Sequence, residues 1–349
     1  MALPTTFEPG ENLDTLGIEM SASLLRKNLV VGFPSRIHVT PVDCNRFAFS
    51  KPGGGGIGFA IDLPNKLKIA PAASVGIRSS IQHYDHIVNH YIKLMEKVLH
   101  VELRIELSLS LSELMSKHFG LGSSVCVACA VMWSINRLCG NPLTLEQLRL
   151  LIAHNFVEEC QGRLSRGLET GVGTSVIFRG GISVIADQII EVFHRPFPEG
   201  YSVLIVDPVT SRPEMDKPES EDMLERTFFL DSSYRYTKAY NILMDVIPAL
   251  NSGDLRVFGE YVWDIQFSGT HLSMIQSYEA FGRKIYDVLS TLRASGAMIC
   301  GISSVGPAIY CVCESKNLAN IEADLNRRYG GEISKHLVAV NNTGIQEID

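Results

Sequence analysis

Residues 125–133, VCVACAVMW, are apolar at every position, so a helix here has no polar face to offer water and must lie inside a folded domain. Just ahead of it stands a small, hydroxyl-rich turn made of Gly120, Gly122, Ser123 and Ser124. A glycine turn opening a buried helix leaves the first amide N–H groups unsatisfied and sets the positive end of the helix dipole at the turn. Such a place suits a phosphate. Glycine lets the backbone approach an anion closely, and the two serines can donate hydroxyl hydrogens or hold a phosphate-bound cation. The turn is neither a Gly-Lys-Ser/Thr loop nor Gly-x-Gly-x-x-Gly. From these residues alone an ordinary N-capped core helix reads equally well.

Several functional classes drop out on composition. A chain of 349 residues suggests two domains. Its net charge of −7 and pI near 5.8 argue against general affinity for nucleic acid, while leaving room for a local basic pocket. The first twenty residues have neither a basic start nor an apolar run, so no secretory leader is expected and the protein is expected to be cytoplasmic. No window approaches the roughly 18 uninterrupted apolar residues of a membrane helix. The eight cysteines are scattered and mostly in apolar surroundings, which reads as buried free thiols. Cys126 and Cys129 lie within the apolar helix without a second pair at zinc spacing, so metal and redox roles are discounted.

Taken in order, residues 1–28 read as a loosely ordered arm. Residues 29–40 read as a strand pair interrupted by Pro34, and Arg36, His38, Asp43, Asn45 and Arg46 form a denser polar set than a plain edge strand requires. The run Lys51-Pro-Gly-Gly-Gly-Gly is either a hairpin tip or a place where backbone passes close to a ligand. Residues 84–99 predict an amphipathic helix with His86 and His90 on a solvated face. Residues 101–111 predict a strand, and 144–160 a helix opened by a Thr144/Gln147 capping box. Residues 161–175 form a polar, glycine-punctuated loop carrying Arg163, Arg166, Glu169, Thr170, Thr174 and Ser175, read as a surface connection or a binding loop. Residues 176–186, with Arg179, read as strand. A composition change at 193–200 marks a boundary. Beyond it come a strand at 201–206, a charged loop at 212–225, and helices at 240–250, 255–266 and 278–292. Strands at 297–302 and 307–313, a helix at 318–328 and a strand at 336–340 complete an α+β sandwich with helices on one sheet face. Between the paired strands lies a second Ser/Gly turn, GISSVGP, with Ser303, Ser304 and Gly306.

Three segments, PSRIHV from Pro34, GLGSS from Gly120 and GISSVGP from Gly301, resemble in order and spacing the three motifs of the GHMP superfamily of small-molecule kinases. The resemblance implies an α+β, two-domain fold. An arm of 1–28 would precede a ribosomal-S5-like domain at 29–198 and a ferredoxin-like domain at 199–349, with the motifs converging on a phosphate-bearing ligand. A closer resemblance, from residue 34 to 312, is carried by PSRIHVTPVD…GGGIGFAI, HFGLGSSV, GVGTSVIFRGG and NILMDVIPALNSGDLRVFGEYVWDIQ. These segments are similar to the β-ribofuranosylaminobenzene 5′-phosphate synthases and the C-ribosyl synthases of formycin and pyrazofurin biosynthesis. That branch condenses phosphoribosyl pyrophosphate with an aromatic amino-carboxylate, releasing carbon dioxide and pyrophosphate. Two departures stand out. The kinases carry Ser-Gly-Ile/Leu-Asp, with the Asp as base, where this chain has Thr170-Gly-Val-Gly173. The methanopterin-type synthases are expected to carry Arg-x-Asp-Gly-Gly where residues 52–56 read Pro-Gly-Gly-Gly-Gly. Loss of those two charges favours 4-amino-pyrazole-3,5-dicarboxylate over 4-aminobenzoate as acceptor.

Roles follow from that resemblance. Gly120, Gly122, Ser123, Ser124, Ser303, Ser304 and Gly306 would meet the departing pyrophosphate and its Mg²⁺, helped by Arg163, Arg166 and Thr174. Arg36, His38 or Arg179 would orient the acceptor carboxylate, and Asp43 or Glu159 would help hold the metal. The expected partners are phosphoribosyl pyrophosphate and an aromatic or heteroaromatic carboxylate. Neither nucleic acid nor membrane is expected, and a homodimer stays open. The rivals are an ATP-dependent kinase and a non-catalytic ligand sensor on the same fold.

Overall fold

The computed structural model describes residues 6–26, 28–47, 51–80, 84–116, 119–160, 162–208, 219–278 and 280–348. The N-terminal part contains β1 (Leu29–Pro41), β2 (Gly56–Pro71), β3 (Gly76–Ser79), α1 (Tyr84–Leu99), β4 (Ile105–Ser110), α2 (Glu113–Ser116), α3 (Ser123–Leu138), α4 (Leu145–His154), β5 (Val157–Cys160), β6 (Arg163–Arg166), α5 (Val172–Arg179), β7 (Ile182–Ile185) and β8 (Glu191–Arg195). The C-terminal part follows with β9 (Tyr201–Asp207), α6 (Glu219–Asn241), a π turn at Ile242–Val246, α7 (Ile247–Ser252), α8 (Leu255–Ile265), α9 (Gly269–Ser277), α10 (Ala280–Ala294), β10 (Ile299–Ile302), β11 (Ile309–Glu314), α11 (Leu318–Tyr329), β12 (Ser334–Val338) and β13 (Gln346–Glu347).

The larger sheet runs β13-β1-β2-β4-β3, and β7 pairs with β2 and β8. Strand β2 is long enough to serve two partners, pairing with β7 over Gly56–Phe59 and with β4 over Lys66–Pro71. The second sheet runs β10-β11-β9-β12 and is antiparallel throughout. Along β9 the side chains alternate between two cores. Val203 and Ile205 join the large core shared with the N-terminal sheet, whereas Leu204 and Val206 join a second core with Ile285, Leu289 and Leu325 of α10 and α11. The first core therefore runs unbroken across the boundary expected at 198: Phe59 of β2 lies 5.0 Å from Phe197 and 5.9 Å from Tyr310 of β11, ring centre to ring centre. The chain end also returns to the N-terminal sheet, where β13 pairs with β1. The arm lies along the same part, with Phe7 bridged to Leu164 and Asp14 bonded to Asn155.

Several local expectations give way to tertiary packing. Pro34 does not interrupt β1; a register shift between Phe33 and Ser35 absorbs its missing amide donor. The helix from 144 ends at His154, and residues 157–160 are strand. Of the strand expected at 176–186, residues 182–185 form β7, whereas 176–179 are the last turn of α5, because the short buried run Val176-Ile177-Phe178 reads the same in a helix or a strand. Residues 219–225 of the expected charged loop belong to α6, and its remaining residues, 212–218, lie outside the described residues. His90 is buried and accepts from the Gly10 amide through Nδ1, so it does not sit on a solvated face. Among the described residues no helix is long and apolar enough to cross a membrane.

Helix α6 is fixed to the rest through a buried ion pair. Lys238 and Asp231 are 2 % and 0 % exposed, and Nζ meets Oδ1 at 2.5 Å. Lys238 also donates to Pro41 O at 3.0 Å, while Asp231 accepts from Cys44 N at 2.8 Å and from Thr270 Oγ1 at 2.7 Å. One pair thus holds α6, the exit of β1 and the start of α9 together. Lys238→Met leaves the Asp231 carboxylate buried without its counter-charge, which costs about 3–5 kcal/mol. Urea unfolding should show that loss, and a change below about 1 kcal/mol would mean the pair is held in water.

Candidate active site

The three hydroxyl- and glycine-rich segments meet at one point. Gly120 presents its carbonyl oxygen to Arg36 Nη1 at 3.0 Å and to Ser303 Oγ at 2.7 Å. Ser303 Oγ in turn accepts from His38 N at 3.2 Å, and Ser304 N donates to His38 O at 2.9 Å. Ser35 Oγ donates to Leu121 O at 2.7 Å, so the middle of β1 is laced to the turn before α3 from both sides. Gly120 is obligatory here: its φ is +83°, and a Cβ would run into Ser303 O. Gly122, with φ +74°, is the left-handed N-cap of α3, and no side chain caps that helix. A Cβ on Gly122 would stand 2.6 Å from Arg36 Nε, so the residue makes room for the guanidinium as well as for the turn.

These segments form one wall of a cleft of about 140 Å³. Its floor carries Gly120, Gly122, Ser123, Ser124, Arg36 and Ser304, the last in the left-handed region with φ +56°. Glu158, Glu159 and Glu169 also line it. Phe47, Phe119, Phe156, Leu168, Met274 and Val305 supply apolar surface between them. The cleft thus combines an uncapped helix start and an arginine with three carboxylates and apolar surface, and Arg36 acts electrostatically on Glu169.

His38 reaches the cleft with Nε2 3.2 Å from Thr170 Oγ1, while its Nδ1 is buried without a hydrogen-bond partner. Burial, reinforced by Arg36, His271 and Lys238, holds this imidazole well below its ordinary pKa and hence neutral. His271, fully buried behind Thr270, is pushed down to about 4, mainly by burial and then by Lys238. Burial raises the pKa of Glu169, opposed by Arg36. Its Oε1 accepts from Gly171 N at 2.7 Å.

Arg36, His38, Gly120, Gly122, Ser123, Ser124, Ser304 and Glu159 line the cleft as the sequence suggests. Ser303 and Gly306 stand behind it; Gly306 N donates to Ser303 O and thereby shapes the turn. Others lie elsewhere. Arg163 pairs with Glu8 of the arm, and Arg166 holds His154 O and Asn12 O. Arg179 pairs with Glu191 and Ser175 at the far end of α5. Thr174 is fully buried and donates to Gly171 O. Asp43 caps the turn at Cys44–Arg46 through Asn45 N, faced by Arg46 and Arg235. A β-rich period and a polar loop do not say on which side of the sheet such guanidinium groups emerge. The tetraglycine run is also absent from the lining. A Cβ on Gly55 would meet Ile185 O, and one on Gly56 would meet Val172, His38 Nε2 and Thr40 O, so the run is closely packed behind the lining. Thr170, from the loop read as a connection or a binding loop, lines the cleft; Thr270 and Met274 were not singled out by sequence, and the Ser-Gly-Thr opening of α9, which repeats the small hydroxyl pattern of the other turns, is the one available signal.

Gly173, which the motif resemblance sets where the kinases carry their base, lines the cleft with Val125 against it. A Cβ there would lie 2.7 Å from Val125 Cγ1, so this chain has filled the space of an aspartate stem with a valine.

Residues 86–168 match the GHMP kinases N terminal domain. A β-ribofuranosylphenol 5′-phosphate synthase of Methanothermobacter thermautotrophicus is 24% identical over 332 residues, spanning 85% of this chain and 93% of that protein. One from Archaeoglobus fulgidus is 22% identical, spanning 90% and 97%. A homoserine kinase of Buchnera aphidicola is 22% identical over 253 residues, 71% of this chain and 75% of its own. Among solved structures, a homoserine kinase from Cytophaga hutchinsonii superimposes with a TM-score of 0.69 at 17% identity, covering 95% of this chain and 100% of that one. A mevalonate kinase from Methanococcus jannaschii does so with a TM-score of 0.64 at 13% identity, covering 90% and 98%.

The lowered histidines make stability depend on pH. The unfolded chain binds protons at its histidines below about 6.5, while native His38 and His271 do not, so stability falls as pH drops from about 6.5 towards 4. Each such histidine contributes a slope of roughly 1.4 kcal/mol per pH unit in that window. Urea titrations at pH 7 and pH 5 should show His271→Asn losing less stability on acidification than the parent. Equal losses would mean that His271 is protonated in the fold.

Proposed function

The chain has the two-domain α+β fold of the GHMP kinases, and from that premise we propose that it is a ribosyl-transferring synthase joining ribose 5-phosphate to a ring carbon of an aromatic carboxylate. The donor is phosphoribosyl pyrophosphate, and carbon dioxide and pyrophosphate leave. The observation that carries this reading is the pairing of a phosphate-suited floor with a missing kinase base. The start of α3, Arg36 and Ser304 suit a leaving diphosphate, while Gly173, with Val125 packed against it, offers no carboxylate where the kinases carry their Asp.

The chemistry asks for little else. The C1–oxygen bond of the donor breaks and pyrophosphate takes the electron pair. The acceptor's carboxylate-bearing carbon then bonds to C1. The bond to the carboxyl carbon breaks next, its electrons restoring the aromatic ring as carbon dioxide departs. Arg36 and the α3 amides stabilise charge growing on the leaving group, and the apolar walls orient the ring. Magnesium would be held mostly by the substrate phosphates, with Glu159 and the hydroxyls of Ser123 and Ser124 as the protein oxygens that would reach it. When bound, it would neutralise developing pyrophosphate charge.

The relatives named as β-ribofuranosylphenol 5′-phosphate synthases point to a hydroxy- or aminobenzoate as acceptor. The case for a pyrazole dicarboxylate rests on the absence, at 52–56, of the Arg and Asp expected of the 4-aminobenzoate users and on room beside the tetraglycine run, which does not line the cleft. Incubation with Mg²⁺, phosphoribosyl pyrophosphate and 4-hydroxybenzoate, 4-aminobenzoate or 4-amino-pyrazole-3,5-dicarboxylate should give, for a benzoate, a product of acceptor plus ribosyl phosphate less one carbon dioxide. Ser123→Ala and Ser124→Ala should lower kcat/KM with little change in Tm. The donor at a hundredfold excess over Kd should stabilise the protein by about 2.7 kcal/mol. Stabilisation by ATP alone, with a phosphorylated alcohol as product, would return the cleft to kinase chemistry.

A further inference from the structure

Attack through the carboxylate-bearing ring carbon drains electron density from the ring. A para hydroxyl or amino group supplies it, and its O–H or N–H becomes acidic as the carbon–carbon bond forms. Something in the cleft must take that proton. The kinase position is closed by Val125 against Gly173, and His38 Nε2 is engaged with Thr170. Of the three carboxylates in the lining, Glu158 and Glu159 are half-exposed, and Glu159 Oε1 is occupied by Gly162 N at 2.6 Å. Glu169 differs: it is only 7 % exposed and locked from three directions. Its main-chain oxygen accepts from Gly53 N at 3.1 Å, its Oε1 accepts from Gly171 N, and its neighbour Thr170 is bonded to His38. Oε1 is thereby spoken for, and Oε2 is the oxygen left for a ligand in the cleft.

Resting on the reading of the cleft given above, we propose that Glu169 is the base that takes the proton from the acceptor's ring hydroxyl or amino group as the carbon–carbon bond forms. The step balances. As C1 bonds to the ring carbon and pyrophosphate departs, the O–H bond breaks, its electron pair forms a quinoid C=O, and the proton goes to Glu169 Oε2. When carbon dioxide leaves, the pair from the broken C–C bond restores the ring. The quinoid oxygen then takes the proton back, and Glu169 returns ionised. Burial raises the pKa of Glu169, which suits a carboxylate that must hold a proton for part of the cycle. The groups facing it are Arg36 and His38 on β1, Tyr91 on α1, Cys126 and Cys129 on α3, Arg149 on α4 and Glu158 on β5. Arg36 and Arg149 oppose that rise.

The test compares 4-hydroxybenzoate with 4-methoxybenzoate, which has no proton to lose. Glu169→Gln should cut kcat on 4-hydroxybenzoate by about 10²–10⁴-fold, the range of a general base, with KM for phosphoribosyl pyrophosphate changed less than about threefold. The same substitution should cut turnover of the methoxy compound far less than that of 4-hydroxybenzoate. Glu169→Asp should recover part of the loss, and both variants should melt near the parent. Full activity of Glu169→Gln, or an equal loss on both acceptors, would overturn the proposal and leave ribosyl transfer standing. A parent enzyme that ribosylates no hydroxy- or aminobenzoate would instead overturn the reading of the cleft and this role with it.

Discussion

The carbonyl oxygen of Gly120 is the constraint on which the cleft depends. It accepts from Arg36 and Ser303 together, and so ties the middle of β1, the turn before α3 and the β10–β11 turn at a single atom. A carbonyl has two lone pairs, and here both are used by side chains from distant parts of the chain. The consequence is geometric. Arg36 cannot swing away from the uncapped start of α3, and Ser303 cannot carry its neighbour Ser304 out of the cleft, without breaking a bond to this partly buried oxygen. A flexible arginine is thus turned into a fixed positive charge beside a helix N-terminus before any ligand arrives, which is the condition for electrostatic stabilisation without reorganisation.

The fold was largely legible because its strongest signals are local. The apolar run behind Gly122 is buried almost throughout, the Thr144/Gln147 capping box forms, and the β-β-α-β ending builds the second sheet. Failures fall where one residue pattern serves two structures. Residues 176–179 carry Val176, Ile177 and Phe178, and a buried turn of helix with such residues is indistinguishable from a core strand. The return of β13 to β1 is a two-residue pairing with no sequence mark of its own.

The site was legible in its turns and obscure in its charges. Glycine and serine announce a backbone conformation, and conformation is local; Gly120, Gly122, Ser123, Ser124 and Ser304 all reach the cleft. Where an arginine points depends on which face of an element is buried and what anion waits there. Arg163, Arg166 and Arg179 each found a partner away from the cleft, in Glu8, in main-chain oxygens and in Glu191. Glu169 shows the converse. Nothing in its sequence neighbourhood distinguishes it from a surface glutamate, yet the bonds at Gly53 and Gly171 bury it against Arg36.

The central claim is that a kinase fold here transfers a ribosyl group and leaves the phosphoryl group of ATP alone. It rests on the fixed floor at Gly120–Ser124 and on the closure of the base position by Val125. Phosphorus NMR of one mixture containing the protein, Mg²⁺, ATP, phosphoribosyl pyrophosphate and 4-hydroxybenzoate tests this most directly. The account predicts loss of the phosphoribosyl pyrophosphate signals and growth of free pyrophosphate, with the ATP resonances unchanged. Growth of ADP with the phosphoribosyl pyrophosphate signals intact would contradict it.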